Sequence, residues 1–230
     1  MAERDLNRAA SPAPDDLTNK VGASELYEAA VARMDDTWAS ALILWRDALA
    51  YCDALKIAID VLTLLRLRTL SVTTKEHARL RDGFYQLSYT AAEVKTQELL
   101  IRSLHPELTP YVEHGFEVAS WLAKRGADPT LSNLWVTRDG RPMSSGWISK
   151  RIRRASLELV GVPLNPQRIR RLGATSIHRF VPRESMVATS ALQHHGPQET
   201  KDHYVKTGSG GSAAEFRRFM QSKFGREIDV

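Results

Sequence analysis

The sequence predicts an α+β domain that is mainly helical and contains a small antiparallel sheet. Helical patterns fill most of the chain, and the clearest one places its apolar residues along a broad stripe between Ile43 and Leu67. One segment differs, since residues 84–89 alternate as a strand after the turn signal Asp82-Gly83. With 230 residues and 43% hydrophobic content, the chain is large enough for one packed domain plus tails.

The N-terminal part of the chain predicts a tail followed by two helices. Residues 1–20 are rich in Ala, Pro, Asp and Asn, a composition typical of a flexible tail. A helical pattern follows from Ser24, whose hydroxyl can cap it, and the second helix runs from about Ile43 to Leu67. This second helix contains the single cysteine, Cys52. We interpret Cys52 as a buried residue of the hydrophobic core, in a protein from a reducing compartment. One thiol excludes a disulfide framework and a cysteine-based metal site.

Two further strands complete the predicted sheet. Arg79–Arg81 leads into the Asp-Gly turn, and Glu98–Ser103 is expected to form the third strand. Lys95 then falls at the turn between the second and third strands. A helix follows over Pro106–Gly126, with Pro110 in its first turn, where proline is best tolerated. Its inward face is predicted to consist of Leu108, Val112, Phe116, Ala119 and Leu122.

A basic helix is predicted after the turn Arg138–Arg141. It is capped by Ser144 or Ser145 and runs to about Val160. Its basic residues are Lys150, Arg151, Arg153 and Arg154. Together with the net charge of +5, this helix indicates an acidic partner such as nucleic acid.

Residues 165–204 combine three kinds of reactive side chain. In chain order they are Arg168, Arg170, Arg171, His194, His195 and Tyr204. Arginine offers a planar fork of donors that matches phosphate oxygens, and histidine can exchange a proton near neutral pH. Tyrosine can act as a covalent nucleophile once it is activated, because its reference pKa is about 10. Attack on a phosphodiester would need these three residue types together.

The order and spacing of these residues resemble the catalytic domain of the tyrosine recombinase (phage integrase) family. Its second signature is His-x-x-Arg at the start of a helix, and Gln167 and Arg170 stand at those two positions. A Gly-His pair follows about 24 residues later in the family, which favours His194 here and leaves His195 as the alternative. The family's nucleophilic tyrosine comes within about ten residues of that pair, where this chain has Tyr204.

Two earlier landmarks of the family also have counterparts. Its first arginine ends an apolar helix, and Arg66 takes that place in the apolar run Ile57–Leu70. Its catalytic lysine lies on a β-hairpin, and the run Ala91–Thr96 resembles that strand, with Lys95 as the lysine. Thr69 is a departure, since the family has a glutamate-like residue at this position.

The resemblance implies a helical catalytic domain with a small three-stranded antiparallel sheet over residues 21–207. It also implies site-specific DNA recombination or integration, by strand cleavage and rejoining through a 3′-phosphotyrosyl intermediate. Tyr204 would attack the scissile phosphate, and Lys95 would protonate the leaving 5′ oxygen. The pentacoordinate phosphate would be stabilised by Arg66, Arg170 and His194. No metal or nucleotide cofactor is implied, because the phosphotyrosine conserves the bond energy.

Two features favour an alternative, a non-enzymatic DNA-binding relative that has lost turnover or a truncated integrase relic. Gln167 can donate a hydrogen bond to a phosphate oxygen but, unlike histidine, cannot exchange a proton near neutral pH. Only 65 residues precede Arg66, where the family usually has a separate N-terminal DNA-binding domain. A helical protein unrelated to nucleic acid is a third interpretation, which the two basic helices disfavour.

Double-stranded DNA is the predicted partner. Residues 208–230 are predicted to form a Gly/Ser linker and an amphipathic helix, which either packs on its own domain or docks on a neighbouring copy on DNA. The chain shows no signal peptide and no apolar run long enough to span a bilayer, which predicts a cytoplasmic protein. Whether a mobile element or the host chromosome is served stays open. The residues predicted to bind DNA are Lys150, Arg151, Arg153, Arg154, Arg168 and Arg171.

Overall fold

A computed structural model describes residues 21–39 and 44–180, with side chains described as far as residue 177. This part of the chain contains six α-helices, and a three-stranded sheet lies between the third and the fourth. The helices are α1 (Ala23–Ala39), α2 (Trp45–Thr63), α3 (Leu67–Ser71), α4 (Thr109–Ala123), α5 (Ser145–Val160) and α6 (Pro166–Phe180). The strands are β1 (Ala78–Arg81), β2 (Phe84–Tyr89) and β3 (Leu100–Ser103).

The sheet is antiparallel, with the strand order β1-β2-β3. Asp82 and Gly83 join β1 to β2, and both residues have positive φ angles, 49° and 80°. Two consecutive positive φ angles give a turn whose twist matches a tight hairpin, and an Asp-Gly pair favours it. The predicted hairpin is therefore confirmed. The third strand is confirmed as well, with its start at Leu100 instead of Glu98.

Helix α2 is the central element of the helical core. It packs against α1, α4, α5 and α6, and most of its side chains are buried. Cys52 is fully buried, as predicted, and burial raises the pKa of its thiol to about 11. Charged side chains are buried on the same helix, since Asp53 accepts a bond from Lys56 at 2.8 Å and also pairs with Arg151 of α5. This ion cluster joins α2 to α5.

The end of α2 differs from the prediction. The helix stops at Thr63 instead of Leu67, because Leu64 adopts a left-handed conformation with φ 49° and ψ 39°. The N–H of Leu64 still donates to the carbonyl oxygen of Asp60 at 2.8 Å, which closes the last turn. Arg66 was expected to end the apolar helix, and that expectation is wrong. It instead precedes α3 in an extended conformation with φ −70° and ψ 144°.

Helix α5 begins as the sequence predicts, whereas α4 begins at Thr109 instead of Pro106, because residues Pro106–Leu108 form a separate 3₁₀ turn. Pro110 lies in the first turn of α4, and this helix ends at Ala123, three residues before the predicted end. The predicted inward residues of α4 are buried, except Phe116, which is partly buried. Ser144 is the N-cap of α5, where its hydroxyl oxygen accepts the N–H of Trp147 at 3.3 Å. None of the helices in residues 21–39 and 44–180 has the length and apolar character that crossing a membrane requires.

Candidate active site

An open cleft at the start of α6 brings together three residues that the sequence predicted from separate motifs. Arg66, Gln167 and Arg170 all line it, although Arg66 precedes the other two by more than 100 positions. The cleft has a volume of about 320 Å³. Its remaining lining residues are Leu67, Ser149, Asn165 and Pro166, so α3, α5 and α6 each contribute to its wall.

The start of α6 explains how two of these residues share the cleft. Pro166 is the first helical residue, where its missing N–H costs nothing, and the side-chain oxygen of Asn165 accepts the N–H of Arg168 at 2.9 Å. Gln167 and Arg170 are three residues apart, so they lie on the same side of the helix, one turn apart. The positive end of the helix dipole faces the same region, which favours an anion there.

Arg170 is held in place by the break that ends α2. Its side chain is only 6% exposed, and its Nη1 donates to the carbonyl oxygen of Leu64. Asp60, one turn before Leu64, is completely buried. Burial raises the pKa of the Asp60 carboxyl well above its usual value, and the positive charge of Arg170 acts in the opposite direction. Within the described residues, neither carboxylate oxygen of Asp60 has a hydrogen-bond partner.

A further arginine, which sequence reasoning missed, lies near Arg170. Arg102 occupies β3 opposite Leu87, on the same side of the sheet as the buried Leu100. Its pKa falls to about 10, mainly because the guanidinium is buried and also because the like charge of Arg170 is close. Strand alternation was the available signal, since residues 100 and 102 must point to the same face. The surroundings of Arg170 are therefore more positive than the motifs alone indicate.

Lys95 does not line the cleft. It is exposed in the turn between β2 and β3, two residues after a short 3₁₀ turn that ends at Glu93. His77 links that turn to Thr74. Its Nδ1 accepts the N–H of Thr74 at 3.0 Å. The other ring nitrogen, Nε2, must then carry the proton and donate to Glu93 at 2.8 Å. The base of the hairpin loop is thus fixed, while the lysine itself faces solvent.

The six predicted DNA-binding residues fall into two groups. In one group the side chains contact other parts of the protein. Arg151 pairs with the buried Asp53, Arg154 is exposed but donates to Glu158 at 2.8 Å, and Arg168 is half-buried. The side chains of the other group are exposed and make no ion pair with the described residues. This group consists of Lys150, Arg153 and Arg171.

The remaining predicted site residues lie outside the described part of the chain. They are His194, His195 and Tyr204, together with the linker and helix of residues 208–230 and the tail of residues 1–20. The described residues contain no group of three or more His, Cys, Asp and Glu side chains that could hold a metal ion.

The described fold has a counterpart among solved structures. No protein-family model matches the sequence, and no curated protein matches it either. Among solved structures, the fold is similar to that of the XerH site-specific recombinase, crystallised with a palindromic difH substrate as a post-cleavage complex. The TM-score is 0.59 at 14% identity, and the match covers 91% of this chain and 53% of that one. The chain thus has the fold of a tyrosine recombinase catalytic domain and spans about half the length of the XerH chain.

Proposed function

We propose that this domain, which has the tyrosine recombinase fold, cleaves and rejoins DNA strands in site-specific recombination or integration. The observation that carries the proposal is the cleft, where Arg66 and Arg170 meet at the N-terminus of α6. A scissile phosphate placed there would face two guanidinium forks and the positive end of a helix dipole. Duplex DNA as the substrate is supported by the fold, since the XerH structure contains its DNA substrate.

The proposed chemistry follows from how charge changes during the reaction. A phosphodiester carries one negative charge, and more develops on its oxygens in the pentacoordinate state. Arg66 and Arg170, assisted by His194 or His195, would stabilise that charge in a setting that needs no reorganisation. Tyr204 would lose its phenolic proton to solvent, attack the phosphorus and form the 3′-phosphotyrosyl bond as the bond to the 5′ oxygen breaks. The 5′ oxygen would leave with a proton from Lys95, which would have to reach the cleft from its exposed position between β2 and β3. A 5′ hydroxyl of another strand would then reverse the step.

The duplex would extend from the cleft along α5. Ser149 lines the cleft, and its neighbour Lys150 is exposed and lies over the ring of Trp147, with Nζ 5.8 Å from the ring centroid. Arg153, one turn further along the helix, is exposed as well. These side chains would contact the phosphate backbone, which fixes the position of a protein on DNA without reading its sequence. Assembly of several copies on DNA through the helix predicted within residues 208–230 is part of the same proposal.

Gln167 supports a second candidate, a DNA-binding relative with little or no turnover. Its amide is exposed at the cleft, where it can donate a hydrogen bond to a phosphate oxygen but cannot transfer a proton. If proton transfer at this position matters, the reaction of this chain is slow, and histidine should accelerate it. DNA binding would be retained in either case.

A covalent-trapping assay distinguishes these functions. Nicked duplexes from the DNA flanking the gene are incubated with wild type, Tyr204→Phe and Gln167→His, and adducts are resolved on a denaturing gel. The proposal predicts an adduct that is absent from Tyr204→Phe and forms faster with Gln167→His. Duplexes that bind without forming an adduct in wild type or Gln167→His would instead identify the non-enzymatic relative.

A further inference from the structure

Leu64 has a backbone conformation that a leucine rarely adopts. Its φ of 49° and ψ of 39° lie in the left-handed region, which is crowded for any residue with a Cβ. Such a conformation persists only where the surrounding structure enforces it, and functional sites are where it concentrates. Leu64 is also fully buried, so it cannot relax by moving its side chain into solvent.

Three contacts hold Leu64, and each involves a different part of the residue. Its N–H donates to the carbonyl oxygen of Asp60 at 2.8 Å. Its own carbonyl oxygen accepts Nη1 of Arg170. Its side chain lies against Gly173 of α6 so closely that a Cβ at 173 would overlap Cδ2 of Leu64 and come within 3.2 and 3.3 Å of Cδ1 and Cγ. Alanine at position 173 would therefore force the Leu64 side chain to move.

These contacts connect the two arginines of the cleft. The carbonyl oxygen of Leu64 accepts a hydrogen bond from Arg170. The left-handed conformation of Leu64 also changes the direction of the chain, and Arg66, two residues later, lines the cleft. Resting on the function proposed above, we propose that Leu64 and Gly173 are positioning residues that set Arg170 relative to Arg66. The alternative is ordinary core packing, in which their contact affects stability but not the chemistry.

The chain offers a matched control for that alternative. A Cβ at Gly115 of α4 would overlap Cδ2 of Leu55 to the same degree as a Cβ at Gly173 overlaps Leu64. Neither Gly115 nor Leu55 lines the cleft. Gly173→Ala and Gly115→Ala therefore each create one overlap with a leucine methyl group, although the next contacts are closer at Gly173, and only Gly173→Ala displaces a residue that holds an arginine of the cleft.

The first experiment measures the rate of covalent adduct formation and, separately, DNA binding. We expect Gly173→Ala and Leu64→Ala each to lower the rate by at least about tenfold while binding stays within about threefold, because small displacements of catalytic groups have large effects on rate. In the double variant the alanine at position 64 lacks the Cδ2 that the new Cβ would overlap, and the methyl group at position 173 fills part of the space left by Leu64→Ala, so it should be faster than either single variant. Gly115→Ala should react at the wild-type rate. A Gly173→Ala rate equal to wild type, an equal loss in Gly115→Ala, or no recovery in the double variant would overturn the proposal.

A second measurement needs neither activity nor a known DNA site. Phenylglyoxal modifies accessible guanidinium groups, and mass spectrometry can follow Arg170, which is only 6% exposed. Its modification should be faster in Gly173→Ala than in wild type or Gly115→Ala, and it should slow again in the double variant. Unchanged reactivity of Arg170 in a folded Gly173→Ala would refute the positioning role. A wild type that forms no adduct would instead count against the proposed function, and this readout would still decide the role of Leu64.

Discussion

Arg170 shows how much of the proposed chemistry depends on the geometry of one side chain. Its guanidinium bonds Leu64 on one side and lines the cleft on the other, which a planar group with five donors can do at once. A lysine would keep the charge but could not hold both positions. The proposal therefore depends on the fork of Arg170 and not only on its charge.

Arg170→Lys should lower the rate of adduct formation by about 10²- to 10³-fold, the usual effect of removing one stabilising donor. DNA binding should change little, because the charge is retained. Arg171→Lys is the matched control, since Arg171 is the next residue and is exposed. Equal rate losses in the two variants would show that the effect is not specific to the cleft.

Asp60 predicts a dependence of stability on pH. Burial raises the pKa of its carboxyl, so the folded protein binds this proton more tightly than the unfolded chain does. The stability that Asp60 contributes is then fully present below its unfolded pKa of about 4 and is lost as the pH rises through the folded pKa. Asn at this position does not titrate. The free energy of unfolding of Asp60→Asn relative to wild type should therefore rise as the pH increases above about 4.

Urea unfolding at several pH values measures this difference. Asp128 serves as the control, because hydrogen bonds from Thr130 lower the pKa of its exposed carboxyl. The difference between Asp128→Asn and wild type should be constant above about pH 5, where this carboxyl is ionised in both folded and unfolded chains. A flat profile for Asp60→Asn would contradict the assigned direction of its pKa.

At the scale of elements, local sequence predicted some features and missed others. The hairpin followed from Asp82-Gly83 because both residues tolerate positive φ, a property that needs no tertiary contact. The end of α2 could not be predicted, because leucine is a good helix former and the contacts of Leu64 with Arg170 and Gly173 of α6 are not visible in the local sequence. Local propensity is thus sufficient to predict the Asp82-Gly83 turn, whereas the end of α2 depends on tertiary packing.

The site shows the same division. The resemblance to the tyrosine recombinase family predicted that Arg66, Gln167 and Arg170 belong together, and all three line the cleft. Asp60 was missed because an acidic residue inside an apolar helical run gives no sign of which neighbour it faces. Arg102 was missed because its distance from Arg170 depends on how the sheet packs on the helices. Such contacts between elements have no signature in the linear sequence.

Two glycines with open surroundings should respond to alanine in opposite directions. A Cβ at Gly83 or at Gly146 would meet no atom within 4 Å, so steric overlap plays no part. Gly83 has a φ of 80°, and alanine there should cost about 1–2 kcal/mol of stability. Gly146 lies in α5, where alanine should add up to about 0.5–1 kcal/mol. Urea unfolding of Gly83→Ala and Gly146→Ala gives both values, and changes of the same sign would contradict this account of the turn.

At the scale of the whole molecule, the fold places an exposed basic helix beside the cleft. The contribution of that helix to binding should depend on salt, because phosphate contacts release counterions. Lys150→Ala and Arg153→Ala should each reduce the slope of log Kobs against log salt concentration by about 1. Arg125→Ala is the control, since Arg125 is exposed but lies on the ring of Trp121, beyond the end of α4. An equal change of slope in Arg125→Ala would mean that the DNA does not follow α5.

The central claim is that Tyr204 forms a covalent bond with DNA, and mass spectrometry of the trapped adduct tests it directly. After digestion with nuclease and trypsin, the segment from Asp202 to Lys206 forms one peptide, in which Tyr204 is the single tyrosine. The account predicts that this peptide carries a nucleotide on the Tyr204 oxygen and that Tyr204→Phe yields no modified peptide. A nucleotide on any other residue, or an adduct that survives in Tyr204→Phe, would contradict it.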